Sequence, residues 1–73
     1  MIEWIDCQDS SRLIAVAYDV EEERILVRFR NGTEWQYLGC PPVVWDNFTA
    51  PGVSKGRFIH EELNYHAHSP LVS

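Results

Sequence analysis

Over much of its first half the chain alternates apolar and polar residues with a period of two, the spacing of a strand with one buried face. Leu13-Ile14-Ala15-Val16-Ala17-Tyr18 departs from this. It is a short unbroken apolar run between polar segments, and its length and β-branched residues predict a buried strand. Asp19 to Glu23 is rich in acids and reads as a solvated turn. Arg24 to Arg30 then alternates, with Ile25, Val27 and Phe29 on one face. Thr33 to Leu38 alternates again, with Thr33, Trp35 and Tyr37 on one face, and Asn31-Gly32 between the two runs is a strong hairpin signal.

The length of the hairpin loop decides the register. A two-residue loop, Asn31-Gly32, pairs Arg28 with Trp35 and Phe29 with Glu34. A three-residue loop, Arg30-Asn31-Gly32, leaves Gly32 left-handed at a bulge and pairs Phe29 with Thr33, Val27 with Trp35 and Ile25 with Tyr37. Only the second gathers the large apolar groups on one face and sets Arg28 opposite Glu34, so the three-residue loop is predicted. Trp35 and Tyr37 then read first as core and second as a base-stacking platform.

Beyond Gly39 the period lengthens. Pro41 to Thr49 is predicted as a short helix: proline suits a first turn, Val44 and Phe48 share a face, and Pro51-Gly52 ends it. Ser54 is the expected N-cap of a second helix from Lys55 to about Asn64, with Ile59 and Leu63 as its apolar pair. Tyr65 to Ser73 contains Pro70 and is expected to be a tail. The fold class is α+β: a small antiparallel three-stranded β-meander packed with one or two short C-terminal helices. Without a repeat, a low-complexity tract or a linker, residues 1–73 are read as a single domain.

Composition narrows the function classes. A chain of 73 residues buries only about 60% of its unfolded surface, so its core is marginal, and 45% apolar content argues against disorder. No apolar run approaches the roughly 18 residues of a membrane span, and the acidic N-terminus, Glu3 and Asp6, does not suit a signal peptide. Cys7 and Cys40 are too few for a disulfide scaffold and form no Cys-x-x-Cys, and Cys40 reads as a small buried apolar residue. A reducing, cytoplasmic setting is expected. Eleven acids against six Lys and Arg give a net charge of −5, which repels long nucleic acid. A ligand-binding role then needs a local basic patch or a small ligand.

Ser54-Lys55-Gly56-Arg57 is the stretch whose local rules conflict. A helix start favours acids, yet this one carries two cations, while Glu61 and Glu62 sit late. Gly56 costs about 1 kcal/mol relative to Ala inside a helix. A bound anion reconciles these features: a hydroxyl, backbone N–H groups and two cations cradle a phosphate. The plainer reading is an ordinary helix with Arg57 paired to Glu61. His60, His66 and His68 lack the partners of a zinc site, and the carboxylates Asp6, Asp9 and Glu21 to Glu23 lack a calcium-loop spacing. No nucleophile-elbow pattern accompanies the serines, so no catalytic residue, metal or cofactor is expected.

The ordered set Ser10-Ser11-Arg12-Leu13-Ile14, Tyr18-Asp19, Phe29, Gly32, Trp35-Gln36-Tyr37, Pro42-Val43-Val44-Trp45 and Ser54-Lys55-Gly56-Arg57-Phe58 resembles the KTSC domain. That family takes its name from the C-terminus of some lysyl-tRNA synthetases and also occurs as small bacterial and phage proteins. The resemblance runs from about Ser10 to Asn64, leaving 1–9 and 65–73 as flanks. The family usually shows Tyr-x-Tyr where this chain has Trp35-Gln36-Tyr37, and its link to a synthetase implies RNA binding.

The resulting expectation is a non-enzymatic binding module for a phosphate-bearing ligand: a nucleotide, a nucleotide-derived signal, or an RNA end or loop. Ser54, Lys55, Gly56 and Arg57 receive and neutralise the phosphate. Tyr37 or Trp45 stacks on a base. Ser11, carried over from the family pattern, adds a polar contact. The alternative is a protein-interaction module that self-associates through an apolar Ile2–Trp4 pair, or a homo-oligomeric phage-type sponge for a nucleotide signal. A polymer binder would expose Arg24, Arg28, Arg30, Lys55 and Arg57 on one continuous face; a small-ligand binder would not.

Overall fold

In the computed structural model, which describes residues 2–7 and 10–71, five strands form one sheet in the order β1-β2-β3-β4-β5, each antiparallel to its neighbour. The strands are β1 (Ile5–Asp6), β2 (Leu13–Asp19), β3 (Arg24–Phe29), β4 (Glu34–Tyr37) and β5 (His68–Pro70). Between β4 and β5 the chain forms α1 (Pro42–Phe48), α2 (Lys55–Glu61) and a 3-10 turn (Leu63–Tyr65). The fold is α+β, with five strands where three were expected. Asp9 and Val72-Ser73 lie outside the described residues.

The β3–β4 hairpin has the three-residue loop. Ile25 faces Tyr37, Val27 faces Trp35 and Arg28 faces Glu34. The Phe29 N–H donates to the Thr33 carbonyl at 2.8 Å, and Gly32 adopts φ of +93°, a conformation costly for residues with a Cβ. Asn31 Oδ1 accepts from the Thr33 N–H and hydroxyl and closes the loop.

The two strands missing from the expected meander sit at the sheet edges. β1 is only two residues long, too short for a period to show. β5 contains Pro70, which argues against a central strand but is tolerated at an edge. The expected tail is therefore tied down: the Leu38 N–H donates to Ala67 O, the Leu71 N–H to Glu34 O, and Gln36 Nε2 to Ser69 Oγ. The His68 ring lies 5.4 Å from that of Tyr37 and 5.8 Å from that of Trp35.

β2 hides a second irregularity. Leu13 pairs with Phe29 but Ala15 pairs with Arg28, so Ile14 is an extra residue at a β-bulge. The bulge lets Leu13 and Val16 both face the core while Ile14 turns outward. Leu13, Val16, Ile25, Val27 and Tyr37 from the sheet pack on Phe48, Ile59 and Leu63 from the helical layer. Cys7 and Cys40 are both buried, as expected of Cys40, and burial pushes the Cys40 thiol up. Tyr18 stacks on Trp45 with centroids 5.4 Å apart and donates from its hydroxyl to the Cys40 carbonyl at 2.6 Å.

The opposite face of the sheet sets polar groups around buried Ala15, Ala17 and Leu26. Arg24 bridges Asp19 and Gln36, and Arg28 pairs with Glu34. The Arg28 guanidinium lies 4.3 Å over the Trp4 ring, so that ring packs within its own chain. α2 ends at Glu61, short of Asn64, and the chain tightens into the 3-10 turn that buries Leu63. Glu61 and the C-cap Glu62 fall where the helix dipole disfavours them, at the end that gives way.

Candidate functional site

The segment entering β2 is held from three directions. Ser10 Oγ accepts from the N–H groups of Arg12 and Leu13 at 3.2 and 3.1 Å. Arg30 donates from Nε and Nη2 to Ser10 O, and its N–H donates to Arg12 O. The bulge at Ile14 bends the strand just beyond. Opposite stands the entry to α2, after a turn with Gly52 at φ of +83°. Between them lies an open cleft of about 770 Å³, within the range of small-ligand sites.

Ser54, Lys55, Gly56, Arg57 and Ser11 all line this cleft, so segments some forty positions apart meet there. Arg12, His60 and Asp6 also line it; the sequence weighed His60 and Asp6 only as metal ligands and Arg12 only within the family pattern. The signals were present: Arg12 is the cation that opens the apolar run, and His60 lies four residues after Gly56, on the same helix face. Ser54 takes the N-cap position but makes no side-chain cap bond.

Electrostatics separate these cations. Arg57 donates from Nε to Glu61 Oε1 at 2.7 Å, so the plainer reading of that residue holds too, and this bond holds the guanidinium's proton more tightly. Arg12, Lys55 and His60 have no carboxylate partner among the described residues. Asp6 is the one acid on the lining among the described residues. In a chain of net charge −5, the cleft is locally cationic.

Gly56 has no positive φ, and a Cβ built there would meet Arg12 Cδ at 3.5 Å, an ordinary contact. The Arg12 side chain thus lies against the start of α2.

Of the aromatics expected to stack on a base, neither lines the cleft. Trp45 is engaged with Tyr18 and Phe48. Tyr37 is buried but borders a smaller hollow of about 200 Å³, next to the cleft and sharing Arg12, Gly56 and His60 with it. Among the described residues no three His, Cys, Asp or Glu side chains come together to hold a metal. No helix there is long and apolar enough to cross a membrane.

A model of the KTSC domain matches residues 9–65, which include both walls of the cleft. The chain belongs to the KTSC domain family. It is 36% identical to a protein of Tsukamurella paurometabola over 52 residues, 71% of this chain and 76% of that one. The crystal structure of a KTSC domain protein from Yersinia pestis superposes with a TM-score of 0.87 at 27% identity. That likeness covers 99% of this chain and all of the other, so the KTSC fold here extends past the matched sequence to include β5.

Proposed function

We propose that this KTSC domain is a non-catalytic binding module for a ligand carrying a phosphate, held in the cleft between Ser10–Arg12 and the start of α2. The observation that carries the reading is the convergence of unpaired cations from two distant segments, Arg12 on one wall and Lys55 on the other, with the His60 imidazole beside Lys55. Arg12 is exposed and Lys55 half-buried, so both are open to a ligand, and a phosphate accepts several charge-assisted hydrogen bonds. The side-chain cations carry the anion here, since a helix of seven residues builds little dipole.

A small ligand is favoured over a long polymer. Arg24 and Arg28 are paired on the far face of the sheet, so the basic residues form no continuous track with Lys55. Self-association is a second reading, favoured by β1, an edge strand whose Ile5 is 52% exposed.

A thermal-shift series tests both, using inorganic phosphate, AMP, cyclic AMP and a short single-stranded RNA against the wild type and an Arg12→Ala/Lys55→Ala variant. Ligand at about 100 times its dissociation constant adds about 2.7 kcal/mol, several degrees for a domain of this size. A shift with the wild type and none with the variant is expected. No shift with any of the four, together with a dimer by sedimentation, would replace this reading with the second.

A further inference from the structure

The smaller hollow has the makings of the other half of the site. It is bordered by Phe29, Tyr37, Ile59 and Asn64, with Arg12 and His60 on the side it shares with the cleft. Its volume of about 200 Å³ falls below the roughly 300–1,000 Å³ of a whole ligand site, so it suits one flat ring rather than a complete molecule. Its walls are of two kinds. Phe29 and Ile59 are apolar, whereas Tyr37 and Asn64 bring a hydroxyl and an amide.

Tyr37 is 97% buried by its 3% residual exposure, yet its hydroxyl bonds to no protein group among the described residues. Among the described residues no fully enclosed polar side-chain atom lacks a partner, so this hydroxyl keeps a trace of solvent contact, and its residue borders the hollow. Burial alone pushes the phenol up, with no hydrogen bond offsetting it. The neighbouring Tyr18 hydroxyl, by contrast, is fully engaged with Cys40. A buried hydroxyl left open toward a cavity is available to a ligand. The Asn64 amide, also without a protein partner among the described residues, supplies a donor and an acceptor side by side, the pair that reads the edge of a base.

We infer that the hollow is a nucleobase subsite: the ligand is a nucleoside phosphate whose phosphate lies in the cationic cleft and whose base enters between Phe29 and Ile59, read by Tyr37 Oη and the Asn64 amide. This rests on the cleft being the phosphate site proposed above. It assigns Tyr37 a hydrogen-bonding role in place of the stacking role the sequence suggested. Arg12 and His60, which border both spaces, stand where the sugar joins base to phosphate.

Calorimetric titration separates the two halves. The probes are AMP, GMP, CMP and UMP, with ribose 5-phosphate as the same ligand lacking its base. At least one nucleotide is expected to bind wild type ten-fold or more tighter than ribose 5-phosphate. Tyr37→Phe and Asn64→Ala should each erase most of that advantage while leaving ribose 5-phosphate within about two-fold of its wild-type affinity. Equal affinity of all four nucleotides and ribose 5-phosphate overturns the base subsite and leaves the cleft reading standing. Tyr37→Phe weakening ribose 5-phosphate as much as the nucleotides also overturns it, by showing a structural role. No binding of any probe overturns the cleft reading, and the subsite with it.

Discussion

The two ends of β2 treat their polar groups in opposite ways. At the Asp19 end the polar groups that join the strands are engaged. Asp19 pairs with Arg24, the Tyr18 hydroxyl donates to Cys40 O, and the Cys40 N–H donates to Glu23 O. Glu23 is even held at φ of +52°, a left-handed conformation that costs a residue with a Cβ about 1–2 kcal/mol. At the Arg12 end the backbone is just as well anchored, by Ser10 Oγ and the Arg30 guanidinium, but two cations are left over. Arg12 and Lys55 have no carboxylate partner among the described residues, and Tyr37, at the back of the same region, keeps an open hydroxyl. One end uses its polar groups to close the fold; the other keeps them for something else.

The pair of tyrosines gives the largest expected effect. Tyr18→Phe removes a 2.6 Å hydrogen bond and leaves the carbonyl of fully buried Cys40 without it. The cost should be about 1–2 kcal/mol, or roughly 5–15 °C in melting midpoint. Tyr37→Phe deletes the same atom from a more deeply buried ring but breaks no protein hydrogen bond, so its midpoint should stay within about 3 °C of wild type. Two thermal melts in parallel decide the matter. Similar losses would mean that Tyr37 has a structural partner and that the contrast between the two ends is false.

Much of the sheet was legible in the sequence, because local rules there agree with the fold. The Asn31-Gly32 turn, the Ile25–Tyr37 register and the Arg28–Glu34 pair all follow from one periodicity. The bulge was not legible, since Leu13-Ile14-Ala15 looks like any unbroken apolar run and only pairing with Phe29 and Arg28 reveals the extra residue. β5 was hidden by Pro70, whose tolerance depends on a strand being at an edge, a fact about the sheet rather than the segment. One wall of the cleft announced itself through charges set against a helix dipole at Lys55 and Arg57. The other wall entered only as Ser11, through the family pattern. Arg12 and Asn64 owe their places to chain crossings that no local spacing encodes.

Gly56 sharpens the contrast at an intermediate scale. Its backbone is helical and a methyl group there has room against Arg12. Gly56→Ala should therefore stabilise the free protein by about 0.5–1 kcal/mol in denaturant melts. If the cleft holds a phosphate against this backbone, the same methyl group should weaken binding of AMP several-fold. Opposite signs for stability and binding would mark a glycine kept for a ligand. A gain in stability with unchanged affinity would place the phosphate away from Gly56, nearer Arg12 and Lys55.

The smallest effect lies in acid. The hydrogen bond from Arg24 holds the Asp19 carboxyl below its ordinary value of about 3.8, outweighing its partial desolvation. Because the folded state lowers this pKa, the carboxylate's stabilisation is fully present above that ordinary value and is lost as pH falls through the folded one. Asp19→Asn should thus flatten the decline in stability below about pH 4 while changing little at pH 7, as measured by melting midpoints across that range. Arg12→Ala, at the other end of the strand, removes a cation that holds no carboxylate and should leave the acid limb as it was. If instead Arg12→Ala altered the acid limb as Asp19→Asn does, Arg12 would have a carboxylate partner in solution. The unpaired cations of the cleft would then be engaged, and the difference between the two ends of β2 would no longer point to a ligand.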